Sequence, residues 1–174
     1  EITNSVKSYI ESQNKSLKFE TKVANKIIAC DPFNLERILL NLLSNALKFT
    51  EEDDEIRVKI SETENMIVIA VRDTGLGIPQ EKKELIFQRF RQIDKSLNRN
   101  AEGSGIGLTI VKLLVDLHDG VIEVDSNYGE FTEFKVKLPE KQLKNQSQKN
   151  INYQVDSCSV LDRVEVEFSD LYDL

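Results

Sequence analysis

Asp73-Thr74-Gly75-Leu76-Gly77-Ile78-Pro79 is the stretch on which the reading of this chain turns. It closes a strand-like run, Met66 to Arg72, with an acid, two glycines and a proline. Gly75 and Gly77 let the backbone turn tightly and come close to a flat ligand. Asp73 offers a carboxylate able to accept from an exocyclic amine such as adenine's. A plain strand-to-helix turn with Pro79 near the helix start would use the same residues. The neighbours favour a site: an asparagine- and lysine-bearing helix lies upstream and Gly103-Ser104-Gly105-Ile106-Gly107 lies downstream, in an order suited to bracketing one nucleotide.

The upstream helix announces itself at Asp31-Pro32, where Asp caps and Pro at the first helical position gives up no needed N–H. Leu35, Ile38, Leu39, Leu42, Leu43 and Ala46 recur at three and four and draw one apolar stripe. At ~100° per residue, Asn41, Asn45 and Lys48 fall on another face, expected to point away from the core. Two amide oxygens and one ammonium at that spacing suit a hydrated Mg²⁺ with phosphates beside it. A solvated polar face would also look like this.

The rest of the chain supplies a sheet and its connections. Residues 1–18 carry Val6, Tyr9, Ile10 and Leu17 at roughly helical spacing and read as the end of a longer helix. Phe19 to Ala29 reads as a strand, as do Ile56 to Ile60, by alternation with Arg57 and Lys59, and Met66 to Val71, a nearly continuous apolar run covered on both faces. Gln80 to Phe90 reads as a short helix, and the polar Arg91 to Glu102 as a loop able to close over a ligand. The glycines from Gly103 open an apolar helix, Ile110 to Leu117, whose free N–H groups and dipole suit phosphate. His118 near its end is read as structural, with Gly120 as the cap. Val121 to Asp125 and Phe131 to Leu138 form a hairpin. Residues 19–139 then make one domain, a two-layer α/β sandwich with a mixed sheet covered by helices on one face. Residues 140–150 read as a polar linker, and residues 151–174 as a tail in which Val164, Val166 and Phe168 suggest an extra strand.

Composition limits the function classes. The 174 residues carry a net charge of −7 and 40% hydrophobic side chains, a globular composition with no apolar run near the ~18 residues of a membrane span. The acidic balance argues against nucleic acid or an anionic membrane surface as partner. One histidine rules out a multi-histidine metal centre, and Cys30 and Cys158 make no disulfide framework, so a reducing, cytoplasmic setting is expected.

The order of motifs resembles the catalytic, ATP-binding domain of sensor histidine kinases, within the wider family of gyrase, chaperone and mismatch-repair ATPases with a Bergerat-type fold. The resemblance covers about Asp31 to Pro139. Asn41 to Phe49 is similar to the asparagine box, Asp73 to Pro79 to the first glycine box, Ile86 to Phe90 to the phenylalanine box, and Gly103 to Leu108 to the second glycine box. The resemblance implies ATP and Mg²⁺ as cofactors, with Asn45 as metal ligand, Asn41 and Lys48 as catalytic groups at the phosphates, and Asp73 on the adenine amine. Gly75 and Gly77 would shape the base site, Phe49 and Ile78 would pack by base or ribose, and Thr132 would place a hydroxyl near Asp73. Gly103, Ser104, Gly105, Ile106, Gly107 and Leu108 would hold phosphate, Arg91 or Gln92 would reach it, and Arg91 to Glu102 would be the lid.

Departures from the pattern also carry information. Phe131 stands where a glycine is usual and Ser104 where threonine is common. Asn41 occupies the place of the glutamate that activates water in the hydrolysing branches, and a neutral amide is a poor base. The resemblance thus implies phosphoryl transfer to a histidine on a dimerisation domain, with residues 1–18 as that domain's last turns. A response regulator receiver domain would be the onward partner, in a full-length homodimer. The alternatives are an ATPase of the same fold and a binding module without catalysis.

Overall fold

The computed structural model describes residues 2–23, 28–88 and 106–140. Among these described residues, three α-helices, α1 (Ile2–Ser12), α2 (Pro32–Lys48) and α3 (Gly107–Leu117), combine with five strands, β1 (Ser16–Thr21), β2 (Glu55–Thr63), β3 (Met66–Asp73), β4 (Val121–Asn127) and β5 (Phe131–Pro139). The strands form one sheet in the order β1-β2-β3-β5-β4. β1 runs parallel to β2 and every other pair is antiparallel. The expected mixed sheet with helices on one face is what the chain builds.

Period-two alternation decides which face is covered. Val58, Ile69, Val71, Phe134 and Val136 point into one core with Ile38, Leu42 and Leu43 of α2 and Val111 and Val115 of α3. The opposite face is charged, with Lys135 paired to Glu133 at 2.7 Å and Lys137 to Glu123 at 2.6 Å. β3 is buried on both sides, as its apolar run leads one to expect. No described helix covers its second side, however: Val68 and Ala70 stand in register with Lys137, Lys135 and Lys59, whose aliphatic stems shield them while the ammonium groups reach water.

Three local expectations are corrected. The N-terminal helix does not run to Lys18; it ends at Ser12, because Asn14 takes the left-handed conformation at φ 55° and turns the chain. Leu17 and Lys18 therefore belong to β1. The strand expected over Phe19 to Ala29 begins at Ser16 and ends at Thr21, where the Thr21 hydroxyl bonds the backbone of Val23; residues 24–27 lie outside the described residues. The helix expected from Gln80 is a single 3₁₀ turn, Gln80–Lys82, followed by turns bonded at three-residue spacing, Leu85 N–H to Lys82 O and Gln88 N–H to Leu85 O. So short a segment gains too few i→i+4 bonds to propagate an α-helix. It is held instead by Ile86 in the core and by Phe87, edge-on to Phe134 at 6.3 Å. Within α1, Val6 and Ile10 are fully buried against the core.

The start of α2 forms as its sequence dictates. Asp31 accepts from Phe33 N–H at 2.9 Å, and Pro32 is the first helical residue. His118 is structural, as expected, but its role is more specific than a charge at a helix end. One ring nitrogen, Nδ1, lies 2.7 Å from Leu114 O, and the other accepts from Asp31 N–H at 3.2 Å. The end of α3 is thereby tied to the start of α2.

Candidate functional site

Asp73 ends β3 on the core side of the sheet and is 3% exposed. Gly75 N–H donates to its Oδ1 at 3.1 Å, and Thr132 stands directly opposite on β5. Burial pushes the carboxyl up from its usual range to about 7; Asp54 adds to the rise, while the backbone bonds from Gly75 and Thr132 and the charge of Arg72 oppose it. The group is thus a buried acceptor whose charge is only partly compensated by the protein.

The turn after Asp73 is wedged between two elements. A Cβ on Gly75 would lie 2.0 Å from Phe49 O, and Leu76 N–H donates to that same carbonyl at 3.0 Å. Gly77 combines a φ of +67° with a Cβ position 2.1 Å from Asn127 O, so only glycine fits there. Gly129 N–H donates to Leu76 O at 2.7 Å, which fastens the turn to the β4–β5 hairpin. Ile78 is buried, and its N–H donates to Ser126 Oγ at 2.7 Å. That hydroxyl also donates to Phe131 O and lies 3.3 Å from Thr132 Oγ1. Phe131, standing where the resemblance leads one to expect glycine, turns to the charged face, with its ring 3.8 Å from the Arg72 guanidinium.

The other half of the site lies along α2. Asn41 donates to Arg37 O at 3.0 Å, and Asn45 to Asn41 O at 2.8 Å. Lys48 ends the helix half-buried, and Phe49 follows it as the C-cap. The strip was expected to point away from the core, and Asn41 on it is nevertheless only 6% exposed. α3 packs on that side, so close that a Cβ on Gly107 would sit 2.7 Å from Asn41 Oδ1 and 3.8 Å from Asn45 Nδ2. Helical periodicity separated the apolar stripe from the polar strip correctly, but it cannot see a second helix arriving over the polar side.

The fold therefore brings Phe49, Asp73, Gly75, Gly77, Ile78 and Thr132 together at one end and Asn41, Asn45 and Gly107 at the other. Lys48, next to Phe49, lies between them along α2. Ile106 precedes α3 and is 36% exposed, and Leu108 is half-buried in its first turn. Arg91, Gln92, Gly103, Ser104 and Gly105 lie outside the described residues. The reading by sequence missed Ser126, and a signal for it existed. It follows Ile122 and Val124 at period two on the core side, so a hydroxyl there needed a polar partner.

The sandwich, the buried acid at a strand end, its wedged turn and the asparagine-bearing helix define a class, the α/β ATP-binding domain. Residues 30–142 match the family described as histidine kinase-, DNA gyrase B-, and HSP90-like ATPase, and the chain belongs to it. Among its relatives is the circadian input-output histidine kinase CikA of Synechococcus elongatus, 40% identical over 117 residues, which are 67% of this chain and 16% of that protein. The chain thus spans about a sixth of that relative's length. Among solved structures, the catalytic domain of histidine kinase ThkA superposes with a TM-score of 0.71 at 25% identity, covering 81% of this chain and 90% of that one. Full-length ShkA in complex with AMPPNP gives 0.71 at 25% identity, covering 83% and 29%. None of the described helices is long and apolar enough to cross a membrane.

Proposed function

We propose that this chain is the ATP-binding catalytic domain of a two-component sensor histidine kinase and that it passes the γ-phosphoryl group of ATP to a histidine on a dimerisation domain. The observation that carries the reading is Asp73, a buried carboxylate at the end of β3. Its acceptor strength is matched to an exocyclic N–H and is only partly satisfied by Gly75 and Thr132. Support also comes from the family match and from the likeness to ShkA, whose structure is a complex with AMPPNP.

In this reading Asp73 selects adenine, and Phe49 and Ile78 pack against the base or ribose. Asn41 and Lys48 act at the phosphates, with Arg91 or Gln92 and the backbone from Gly103 to Leu108. Asn45 fits a magnesium ion: its amide N–H is bonded to Asn41 O, which leaves a neutral oxygen of the kind hard cations take. Magnesium, when bound, neutralises charge on the phosphate oxygens. Lys48 adds a fixed cation at the same end, and transfer then depends on positioning more than on proton abstraction. Asn41 cannot serve as a general base, which favours transfer over hydrolysis. The onward acceptor is a response regulator receiver domain, α1 continues a dimerisation helix in a homodimer, and the domain works in the cytoplasm.

With γ-labelled ATP and a separately prepared dimerisation domain, the label should appear on that domain's histidine, in an acid-labile form. The chain alone should release little inorganic phosphate. Steady phosphate release by the chain alone, abolished in Asn41→Ala, would establish the ATPase reading instead. A folded chain that takes up no Mg-ATP would leave only a binding module for another partner.

A further inference from the structure

Lys15 lies outside all four motifs, in the turn between α1 and β1. Its Nζ donates to Leu47 O and to Thr50 O, both at 2.8 Å. Those two carbonyls bracket Lys48 and Phe49. A cation at this place complements the C-terminus of α2, bonding one carbonyl of its last turn and one just beyond it. Burial lowers the Lys15 pKa, and Asp54, Glu51 and Glu52 oppose that shift.

Both sides of the bridge are anchored. On one side, Asn14 O accepts from Asp53 N–H at 3.0 Å, Ser16 N–H donates to Asp54 O at 3.1 Å, and α1 is fixed by the fully buried Val6 and Ile10. On the other, Thr50 Oγ1 donates to Ala46 O and Leu47 O, and Phe49 O receives Leu76 N–H. A further strap runs alongside, from Thr74 Oγ1 to Asp54 Oδ1 at 2.8 Å. The turn that follows α1 is thus bonded directly to the end of α2, and through Asp54 it is linked to the turn after Asp73.

We propose that Lys15 is a positioning residue for the nucleotide site: by bridging Leu47 O and Thr50 O, it sets the last turn of α2, and with it Lys48, Phe49 and the Gly75–Leu76 backbone, relative to α1. This rests on the reading of Asp73 and Lys48 as nucleotide contacts. An arginine can keep the bridge, because its guanidinium also presents several donors, whereas a methionine of similar length cannot. A displacement of about 1 Å at the end of α2 is enough to weaken the contacts made there.

The test is titration of Mg-ATP by calorimetry into the parent, Lys15→Met, Lys15→Arg and Asp31→Ala, with melting curves for each. Asp31→Ala removes the cap at the far end of the same helix and serves as a stability control. Lys15→Met should bind about tenfold more weakly. Lys15→Arg should stay within about threefold of the parent, and Asp31→Ala should bind as the parent does while melting lower. In amide correlation spectra, Gly75 and Leu76 should move in Lys15→Met and not in Asp31→Ala. Should Lys15→Met fail to fold, Lys15→Gln, which keeps donors on a shorter stem, should show the same loss to a smaller degree. Parental affinity in folded Lys15→Met, or in folded Lys15→Gln should Lys15→Met not fold, or an equal loss in Asp31→Ala, would overturn the proposal. A parent that takes up no Mg-ATP would instead overturn the reading beneath it.

Discussion

At the Asp73 end of the site, side chains and backbone are tied across elements, whereas along α2 the two amides are bonded back to their own helix. Asp73 is held by Gly75, Leu76 by Phe49, Gly129 by Leu76, and Ile78 by Ser126. Asn41 and Asn45, by contrast, donate to the carbonyls four residues earlier. The first end is therefore part of the folding core and is shaped whether or not a base is present. The second is a helix face whose oxygens are oriented but whose other partners come from outside α2. A ligand's base would meet a rigid acceptor and its phosphates a set of side chains, so damage to the two ends should differ in kind.

The largest effect expected is at the wedged turn. Gly75→Ala places a methyl 2.0 Å from Phe49 O, and the clash is with backbone, so the fold should lose about 3 kcal/mol or more in urea unfolding. A small loss there would break the contrast by showing that the base end is soft. Next comes Asp73→Asn. An amide presents an N–H where adenine's amine needs an acceptor, and affinity for Mg-ATP should fall by about a hundredfold. Asn45→Ala, at the other end, should weaken Mg-ATP binding by roughly tenfold at fixed magnesium, with melting almost unchanged, and added magnesium should recover part of the loss. If this variant lost stability as Gly75→Ala does, the two ends would not differ in the way described.

The smallest effect is graded with pH and has opposite signs for binding and for stability. The Asp73 carboxyl is raised to about 7 in the folded chain, against an ordinary value near ~4. Adenine needs the ionised form, so affinity should fall roughly threefold from pH ~7.5 to ~6.5 as the group takes up its proton. The free fold behaves the other way: the contribution of this group to stability is full below ~4 and is lost as pH rises through about 7. Calorimetry across that range checks the first statement. A flatter stability profile in Asp73→Asn than in the parent checks the second.

How much of this was legible in the sequence depended on whether the cause was local. The cap at Asp31, the stripe of α2, the alternation in β2, β4 and β5, and the glycine-bearing turn all follow from residues near each other in the chain, and each was readable. Asn41 was placed on the right helix and the right face but was not read as buried, because its burial comes from α3, more than sixty residues later. Leu17 looked like the end of a helical pattern because period-two and period-3.6 readings agree for a single residue, and the left-handed Asn14 that separates them leaves little trace in hydrophobicity. Ser126 was passed over, although its position on the core side of β4 marked it as a buried hydroxyl. The acid, the glycines and the asparagines were found as residue types with chemistry. The bonds at Phe49 O and from Gly129 N–H that close the site around them belong to backbone, which a sequence does not display.

The central claim is that Asp73 reads the amino group of adenine, and one titration tests it most directly. Mg-ATP and Mg-GTP are added by calorimetry to the parent and to folded Asp73→Asn at pH ~8, where the carboxyl is mostly ionised. The parent should bind ATP well and GTP poorly, since guanine carries a carbonyl where adenine carries its amine, and Asp73→Asn should lose the ATP binding. Equal uptake of Mg-ATP by parent and Asp73→Asn would contradict the claim.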